Sequence, residues 1–398
     1  MEFEFTKEQN ELRKEVREVI EKHIKLGNHR VMSDSFFIER KEEDIAGAEA
    51  LSKEMAEHGW CGMTWPKKYG GREMTYLDRL VVQEECQMHS FTPTWFAGDR
   101  QMGPSIMKFG TKEQKEYFLP KLVKGELTFG IGMSEPEAGS DLAALKTTAI
   151  EKEDHFLLNG QKVWTSGAAT TDYLYLVART DPDPSVPGAR ACSEFLLDLK
   201  LPGIDIRRVE SMSGSKEWCE VFFTDVKVPK SALVGTKNKG FYQIMEQLDY
   251  ERAGIERIMF NYALLVDLTE YVKETKRNDQ PLSKDPLIRQ EIAKLWTEFE
   301  VGRLLIYRVA WVLTQGNVPN VEAAMAKAYA TAFCTRLANT ATRVMGLPSL
   351  LRPESPWVPI KGQICSSYLC SPGYTLAGGS EEVLKNILAR RGLGLPRE

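Results

Sequence analysis

Hydrophobic and polar residues follow three different patterns along the chain. Up to about residue 125, apolar residues return every three or four positions among dense Glu, Lys, Gln and Leu, which predicts helices. Between about 126 and 233 the hydrophobic period falls to two. From about 238 helical periodicity resumes, broken by a loop rich in Pro, Gly and Ser at 347–373. Because strands and helices do not alternate, we expect an α+β chain with one compact β unit rather than a doubly wound parallel sheet.

The β unit reads as a series of short strands joined by turns. Alternating residues predict strands at 173–179, 194–199, 204–209 and 220–228. The dipeptide Asn159-Gly160 lies between two further runs, at 155–158 and 161–165. Asn-Gly is a strong signal for a two-residue turn, so we expect a tight hairpin there.

Composition and charge narrow the class of protein. The 398 residues include 52 Lys and Arg and 56 Asp and Glu, which gives a net charge of −4. The sequence contains no long run of residues of one charge, and this argues against nucleic-acid binding. Apolar runs stay far short of the roughly 18 residues typical of a membrane span, and the first residues show no signal-peptide core, so we expect a cytoplasmic protein. The seven scattered cysteines lack a C-x-x-C and the five histidines lack an H-E-x-x-H, which predicts reduced thiols and no metal site.

Two stretches of the β unit carry groups suited to a ligand. Residues 130–141 are small, polar and rich in hydroxyls, so they can hydrogen-bond a planar heterocycle, although they lack a P-loop pattern and a complete dinucleotide fingerprint. Further on, Trp164 stands beside Thr165 and Ser166. Its indole can stack on a ring while the hydroxyls contact the ring's edge. A tryptophan buried in the core is the commoner arrangement, and both interpretations stay open at this point.

Several segments resemble signatures of one known family. Three that closely resemble successive motifs of the acyl-CoA dehydrogenases are 133–141 (MSEPEAGSD), 159–167 (NGQKVWTSG) and 220–229 (EVFFTDVKVP). Four more that resemble its N-terminal and C-terminal motifs, in family order, are 59–71, 110–115, 377–382 and 393–396. The resemblance therefore extends over nearly the whole chain.

The resemblance implies a fold and a cofactor. The expected fold is an N-terminal helical domain at 1–125, a middle β-barrel or sandwich domain at 126–235 and a C-terminal four-helix bundle at 236–398. FAD would lie between these domains, and the family's tendency to form tetramers implies a homotetramer.

The resemblance also implies which residues contact FAD. Trp164 would shield one face of the flavin, and Ser140 would lie where pantetheine and phosphate groups pass. The other implied contacts are Ile131, Met133 and Ser134 against the isoalloxazine, Thr165 and Ser166 near its N5, and Ser380 and Glu382 from the last helical segment. The family's Arg-x-x-Phe-Gly segment, which reaches the FAD of a neighbouring subunit, is absent from 276–282, and Arg289 is the candidate replacement cation.

The implied chemistry needs a carboxylate as base. An α-proton leaves the acyl thioester while a hydride leaves its β-carbon for the flavin, so the base must lie near the α-carbon. In many family members it occupies the position that is Gly378 here. The apolar stripe that predicts a helix over 241–262 is interrupted by Glu251. A glutamate on an apolar face needs a reason, and either a role as the base or a salt bridge, for example with Arg252, would supply one.

The resemblance favours Glu251 as that base. Residues 248–252 (LDYER) resemble the family's alternative segment for the base, found in enzymes that act on branched or bulky acyl groups. By the same resemblance, Asp249 and Arg252 would hold the CoA moiety. The substrate would also contact Gly378 and Gly379 in the C-terminal loop.

Asp99 and Arg100 fall in the segment that lines the acyl pocket in the family. They are either solvated surface charges or part of a pocket for a polar acyl group, in which Arg100 pairs with a carboxylate of the substrate. The sequence leaves these alternatives open.

Two functions are consistent with the motifs. The first is a FAD-dependent dehydrogenase of a branched, cyclic, aromatic or carboxylate-bearing acyl-CoA that passes electrons to an electron-transfer flavoprotein. The second is a partner-dependent or non-catalytic subunit of a hetero-oligomeric acyl-CoA dehydrogenase, favoured by the empty base position at Gly378 and the missing Arg-x-x-Phe-Gly segment. Retention of Trp164, Ser140 and Glu251 favours the first.

Overall fold

The computed structural model describes residues 4–25, 42–252 and 254–396. It describes the side chains of all of these residues except 42–44 and 249–252. Helices fill the first part of the chain, as the apolar spacing predicts. They are α1 (Lys7–Lys25), α2 (Glu42–Glu57), α3 (Tyr76–Met88), α4 (Gly103–Phe109) and α5 (Lys112–Val123), with a π-helical turn at Gly98–Met102 before α4. Thr75 and Thr111 form capping boxes, so α3 and α5 begin where a side chain satisfies the first free N–H groups.

One eight-stranded sheet occupies the middle of the chain. Its strands are β1 (Phe129–Gly132), β2 (Thr148–Glu151), β3 (His155–Lys162), β4 (Tyr173–Arg179), β5 (Cys192–Asp198), β6 (Ile204–Val209), β7 (Trp218–Pro229) and β8 (Leu233–Val234). The strand order is β6-β7-β3-β2-β4-β5-β8, and β1 pairs in parallel with β4. Alternating side chains such as Phe156, Leu174 and Phe195 build its core, and the strands predicted at 173–179 and 204–209 are confirmed.

The tight hairpin predicted at Asn159-Gly160 is wrong. Both residues lie inside β3, where the register against β7 shifts, so they form a bulge. Gly160 has a φ of +141°, and a Cβ there would lie 2.6 Å from Oγ1 of Thr147. Asn159 Nδ2 donates to Asp225 Oδ1 at 3.0 Å, and the Asp225 backbone N–H donates back to Asn159 Oδ1 at 2.9 Å. These cross-strand bonds stabilise the bulge instead of a turn.

Helices resume after the sheet. They are α6 (Gly240–Arg252), α7 (Glu256–Met259), α8 (Tyr262–Glu274), α9 (Pro286–Thr314), α10 (Asn320–Met345), α11 (Gln363–Leu376) and α12 (Glu381–Ile387), and a hairpin of β9 (Lys276–Arg277) and β10 (Gln280–Pro281) precedes α9. Their core includes Ile258, Leu268, Phe299 and Phe333. Within the described ranges, no helix combines the length and apolar character needed to cross a membrane.

The single helix predicted over 241–262 is also wrong. Helix α6 ends at Arg252, and two further helices follow it. Met245, which belongs to the apolar stripe, is exposed, whereas Gln243 and Gln247 are buried. The inward face of α6 is therefore partly polar, and this polarity matters for the site described below.

The loop predicted at 347–373 ends earlier than expected. From Gln363 onward the chain forms α11, which packs against α10 and includes Pro372. Proline disfavours a helix interior, so tertiary packing outweighs local preference here.

Gly103 begins α4 directly beside the buried indole of Trp65. A Cβ at this position would overlap the six-membered ring of that indole. We expect Gly103→Ala to lower the free energy of unfolding by about 1–3 kcal/mol, because overpacked cores respond on this scale. Urea unfolding followed by circular dichroism measures the change. Gly139→Ala is the matched control, since apart from its chain neighbours no described heavy atom lies within 4 Å of a Cβ there. Equal effects of the two substitutions would contradict the packing argument.

Candidate active site

The polar segment 133–147 is fixed to the sheet by a buried ion pair. Lys162, fully buried at the end of β3, donates from Nζ to Glu135 Oε1 at 2.8 Å and to the Met133 carbonyl oxygen at 2.9 Å. Glu135 also accepts from the backbone N–H groups of Lys146 at 2.6 Å and Thr147 at 3.0 Å. One carboxylate thus closes the segment into a loop anchored on β3.

The two charges of this pair stabilise each other. Burial disfavours the Glu135 carboxylate, but the Lys162 ammonium and the backbone donors outweigh it and hold the pKa of Glu135 below its usual value. Burial lowers the pKa of Lys162, although Glu135 opposes the shift. Because the anchor is internal, the loop leaves Ser140 exposed and Ser134 half-buried, where a ligand can reach them.

Trp164 follows β3 and is not a core residue. It is 58% exposed, and its φ of +58° lies in the left-handed region that bulky residues rarely adopt. The indole contacts Trp218 edge-to-face, with ring centroids 5.8 Å apart. An exposed tryptophan held in a strained backbone conformation favours the ligand-stacking interpretation over the core interpretation.

The residues around Trp164 leave polar groups for a ligand. Thr165 is fully buried, and its Oγ1 has no hydrogen-bond partner in the part of the chain that the structure describes. Ser166 and Ile131 are half-buried, and a Cβ on the neighbouring Gly130 would lie 3.4 Å from the Ser166 carbonyl oxygen. An orphaned hydroxyl, an exposed indole and a hydroxyl-rich loop at one end of β1 and β3 fit a flavin ring system.

Helix α6 begins on the sheet and continues past α4. A Cβ on Gly240, its first residue, would lie 2.7 Å from the backbone of Ser193 on β5, so only a glycine allows this approach. Further along, Glu246 forms an ion pair with Lys108 on α4. The helix therefore bridges the sheet and the N-terminal helices.

A buried chain of hydrogen bonds joins the same three parts. Gln243 Nε2 on α6 and Tyr175 Oη on β4 donate to Glu194 Oε2 on β5, at 2.6 and 2.9 Å. The Tyr175 hydroxyl lies 2.7 Å from the Ser105 hydroxyl on α4. Burial raises the pKa of Glu194 to about 8. The carboxyl group is therefore mostly protonated at pH 7.

The structure places Glu251 in the last turn of α6. Its side chain lies outside the described residues, as do those of Asp249 and Arg252, so the roles assigned to these three residues stay predictions. Buried Gln247 precedes Glu251 by four residues, or about one helical turn.

Asp99 and Arg100 are buried, so the surface-charge interpretation is wrong. Asp99 forms an ion pair with Arg79 at 3.2 Å. Arg100 forms an ion pair with Glu256 at the start of α7, and its guanidinium lies 4.3 Å from the centroid of the Phe96 ring. Arg100 thus already has a carboxylate partner within the chain.

The loop before α12 and the first turn of α12 together contain four of the residues predicted to contact cofactor or substrate. Gly378 and Gly379 have φ values of +71° and +100°, which favour glycine. Lys327, fully buried on α10, donates to the Gly379 carbonyl oxygen at 2.6 Å. Ser380 caps α12, and Glu382 is exposed in its first turn, where hydrogen bonds from its own backbone and from Ser380 lower its pKa.

Helix α11, which leads into this loop, lies beside Trp218, the neighbour of Trp164. Arg289 has no contact with either tryptophan among the described contacts. A Cβ on Gly373 of α11 would lie 3.8 Å from the ring of Trp218, the neighbour of Trp164. Arg289 is exposed in the first turn of α9, and its Nη1 donates to the Ser283 carbonyl oxygen at 3.3 Å.

A cavity of about 340 Å³ lies between α4 and α6. Its volume is typical of small-molecule sites, which range over roughly 300–1,000 Å³. Lys108 and Glu246 line it and pair with each other. The remaining polar and aromatic lining is Thr64, Trp65, Tyr76, Gln101, Ser105, Phe109 and Gln247.

Sequence reasoning missed several residues of this site. Lys162 occupies an inward position of a strand, and a lysine there is itself a signal of a buried ion pair. Gln243 and Gln247 precede Glu251 at intervals of four residues, which marks a polar face on α6. Gln101 carries no comparable signal, because its burial depends on contacts between distant elements.

Matches to known proteins cover almost the entire chain. Models of the N-terminal, middle and C-terminal domains of acyl-CoA dehydrogenase match residues 6–126, 130–226 and 238–393. Acyl-CoA dehydrogenase FadE26 of Mycobacterium tuberculosis is 32% identical over 352 residues, which is 86% of this chain and 87% of that protein. This chain belongs to the acyl-CoA dehydrogenase family.

Other acyl-CoA dehydrogenases match over the full length. Glutaryl-CoA dehydrogenase of Desulfococcus multivorans is 30% identical over 404 residues, which is 99% of each chain. The solved Tcur3481-Tcur3483 steroid ACAD is 30% identical, with a TM-score of 0.84 and complete coverage of both chains. The fold predicted from the motifs is confirmed, and the chain is an acyl-CoA dehydrogenase of a family whose members are FAD-dependent flavoproteins.

We expect Trp164→Ala to reduce the FAD retained after gel filtration, or to shift the flavin absorption bands, without loss of the fold. The physical reason is the exposed indole, whose contact with Trp218 is edge-to-face and which remains 58% exposed for stacking on a ring. Trp357→Ala, at a tryptophan that is 84% exposed, is the matched control and should leave the flavin unchanged. Unaltered flavin content and spectrum in Trp164→Ala would contradict a role for the indole in flavin binding.

Glu194 should give the stability of the fold a defined pH dependence. Its pKa is raised in the folded state, so its stabilising contribution is complete below the unfolded value near 4.5 and is lost as pH rises towards about 8. We expect Glu194→Gln, which cannot ionise, to lessen the decline in unfolding free energy between about pH 5 and 8. Urea unfolding across this range measures the slope. Glu116→Gln, exposed on α5, should keep the parental slope, and an unchanged slope in Glu194→Gln would contradict the assignment.

Proposed function

We propose that this chain oxidises CoA thioesters of bulky acyl groups at the α,β-bond, with Glu251 as the base and an electron-transfer flavoprotein as the electron acceptor. The observation that carries the proposal is the position of α6. Its last turn contains Glu251, and the preceding turn lines the 340 Å³ cavity through Glu246 and Gln247. One helix thus carries both the proposed base and part of the wall of a space large enough for an acyl group.

The β unit would hold the flavin part of FAD. Trp164 would stack on the ring, Thr165 and Ser166 would contact its edge, and the loop anchored by Lys162 would hydrogen-bond its polar side. When bound, FAD supplies the acceptor for the hydride that leaves the β-carbon. Glu251 accepts the α-proton, and the electron pair of the broken C–H bond becomes part of the new carbon–carbon double bond.

The cavity favours a bulky, uncharged acyl group. The two relatives' names point in different directions, since one is a glutaryl-CoA dehydrogenase and the other a steroid ACAD. A carboxylate on the acyl group would need a cation, but Arg100 pairs with Glu256 and Lys108 with Glu246. Pairing of these two cations supports the bulky class over the dicarboxylic class.

A partner-dependent subunit is the second candidate. Where the family has Arg-x-x-Phe-Gly, this chain has the β9–β10 hairpin, with Asn278 and Asp279 at positive φ in its turn. Arg289 is exposed and bonded to Ser283 nearby. In this alternative a second polypeptide completes the FAD site, and the double name of the solved Tcur3481-Tcur3483 relative is consistent with such an assembly.

We expect Glu251→Gln to slow flavin reduction by substrate about 10²–10⁴-fold while FAD stays bound, because the amide cannot accept the α-proton. Anaerobic stopped-flow absorbance measures the rate. Glu381→Gln is the matched control, since Glu381 pairs with Lys385 at 2.6 Å in the first turn of α12 and should not affect reduction. Reduction at the parental rate in Glu251→Gln would exclude Glu251 as the base.

Moving the carboxylate from position 251 to position 378 is a second test of Glu251 as the base. The double variant Glu251→Gly with Gly378→Glu returns the base to its usual position in the family. We expect partial recovery of flavin reduction, because the left-handed backbone at Gly378 costs an L-residue about 1–2 kcal/mol. A double variant no faster than Glu251→Gly alone would contradict the view that both positions reach the α-carbon.

A further inference from the structure

Three buried polar groups without partners belong to residues that line the cavity between α4 and α6. They are the side-chain carbonyl oxygens of Gln101 and Gln247 and the indole N–H of Trp65, and none has a hydrogen-bond partner among the residues described. The three residues are 4%, 3% and 2% exposed. Buried polar groups are normally paired, so these three groups are available to hydrogen-bond a ligand that enters the cavity.

A glutamine elsewhere in the interior shows the contrast. Gln87, equally buried on α3, donates from Nε2 to the Phe91 carbonyl oxygen and to Thr92 Oγ1, each at 2.9 Å. Within the described part of the chain, Gln247 Nε2 reaches only the Met102 sulfur at 3.7 Å, which is a weak acceptor. The terminal torsion of a glutamine is soft, so its amide can turn towards a ligand in the cavity.

The charges around the cavity define the ligand further. Lys108 and Glu246 are the charged residues in its described lining, and they pair with each other. A carboxylate on the ligand would therefore lose its hydration without gaining a free cation. A hydroxyl is neutral, and it can donate to an amide oxygen while it accepts from an indole N–H.

We propose that the cavity binds the far end of a neutral, hydroxyl-bearing acyl group. The hydroxyl donates its one proton to the side-chain oxygen of Gln101 or Gln247, and its oxygen accepts from the Trp65 indole N–H and from the side-chain amide N–H of the other glutamine. This inference rests on the proposed function only in that the ligand is an acyl-CoA ester. Because Gln247 and Glu251 are one turn apart on α6, the helix that holds the hydroxyl end also carries the proposed base. Hydroxyl recognition therefore sets how deeply the acyl group enters.

Binding of four matched esters to the FAD-loaded chain tests the proposal. The probes are the 2-enoyl-CoA esters of 3-cyclohexylpropenoic acid and of its ring 4-hydroxy, 4-oxo and 4-carboxy derivatives, which are already oxidised at the α,β-bond. Isothermal titration calorimetry gives their dissociation constants. We expect the 4-hydroxy ester to bind about 10-fold or more tightly than the unsubstituted one, since unpaired buried groups penalise a ligand that lacks the hydroxyl.

Substitutions connect the preference with the proposed residues. In Gln101→Met and Gln247→Met, which keep the side-chain volume, the ratio of the two dissociation constants should fall towards one. Gln87→Met is the matched control, because it removes a buried amide away from the cavity and should keep the ratio. Retained FAD and an unchanged circular dichroism spectrum show that each variant folds.

Several outcomes would overturn the proposal. The first is equal binding of the hydroxy and unsubstituted esters, and the second is tightest binding of the carboxy ester. The third is binding of the oxo ester as tight as that of the hydroxy ester, since the ketone has no O–H to donate. The others are absence of binding by any ester and a ratio of dissociation constants that survives both substitutions. Flavin reduction by the saturated esters is measured separately. A preserved ratio without reduction would refute the proposed function alone, whereas reduction without a hydroxyl preference would refute the hydroxyl site alone.

Discussion

The hydrogen bond from Gln243 on α6 to Glu194 on β5 is the contact on which the site depends. It lies in the interior, at 2.6 Å, and Tyr175 and Ser105 extend it to β4 and α4. Through this bond a helix of the C-terminal part keeps a fixed position between the sheet and the N-terminal helices. Part of the cavity wall and the proposed base both belong to α6. The position of α6 on β5 therefore sets where both of them lie relative to the sheet.

Two buried glutamates near the site show how environment decides charge. Glu135 has a buried lysine and two backbone N–H donors, and it is held ionised with a lowered pKa. Among the described residues Glu194 has only neutral hydrogen-bond partners, and burial raises its pKa to about 8. The ionised residue anchors the loop expected to bind the cofactor, whereas the mostly protonated one joins helix to sheet without bringing an unpaired charge into the core.

The sequence predicted the parts of this structure that local patterns determine. The order of helices, sheet and helices, the strands at 173–179 and 204–209, and the family all followed from periodicity and motifs. The hairpin predicted at Asn159-Gly160 was wrong, because the hydrogen-bond partner of Asn159 is Asp225, 66 residues away along the chain. Burial of Arg100 also depends on a distant partner, Glu256. A local pattern cannot predict such pairings, and for the same reason the unpaired amides of the cavity became evident only in the structure.

The most direct test of the account uses the chain purified alone. Its visible spectrum is recorded for bound FAD, and it is then titrated anaerobically with straight, branched, cyclic, aromatic and dicarboxylic acyl-CoA esters. We predict a yellow protein whose oxidised flavin band disappears with bulky, uncharged esters at about one equivalent per site. A chain that holds FAD but is not reduced by any ester, or a colourless chain that gains FAD only with a second polypeptide, would contradict it.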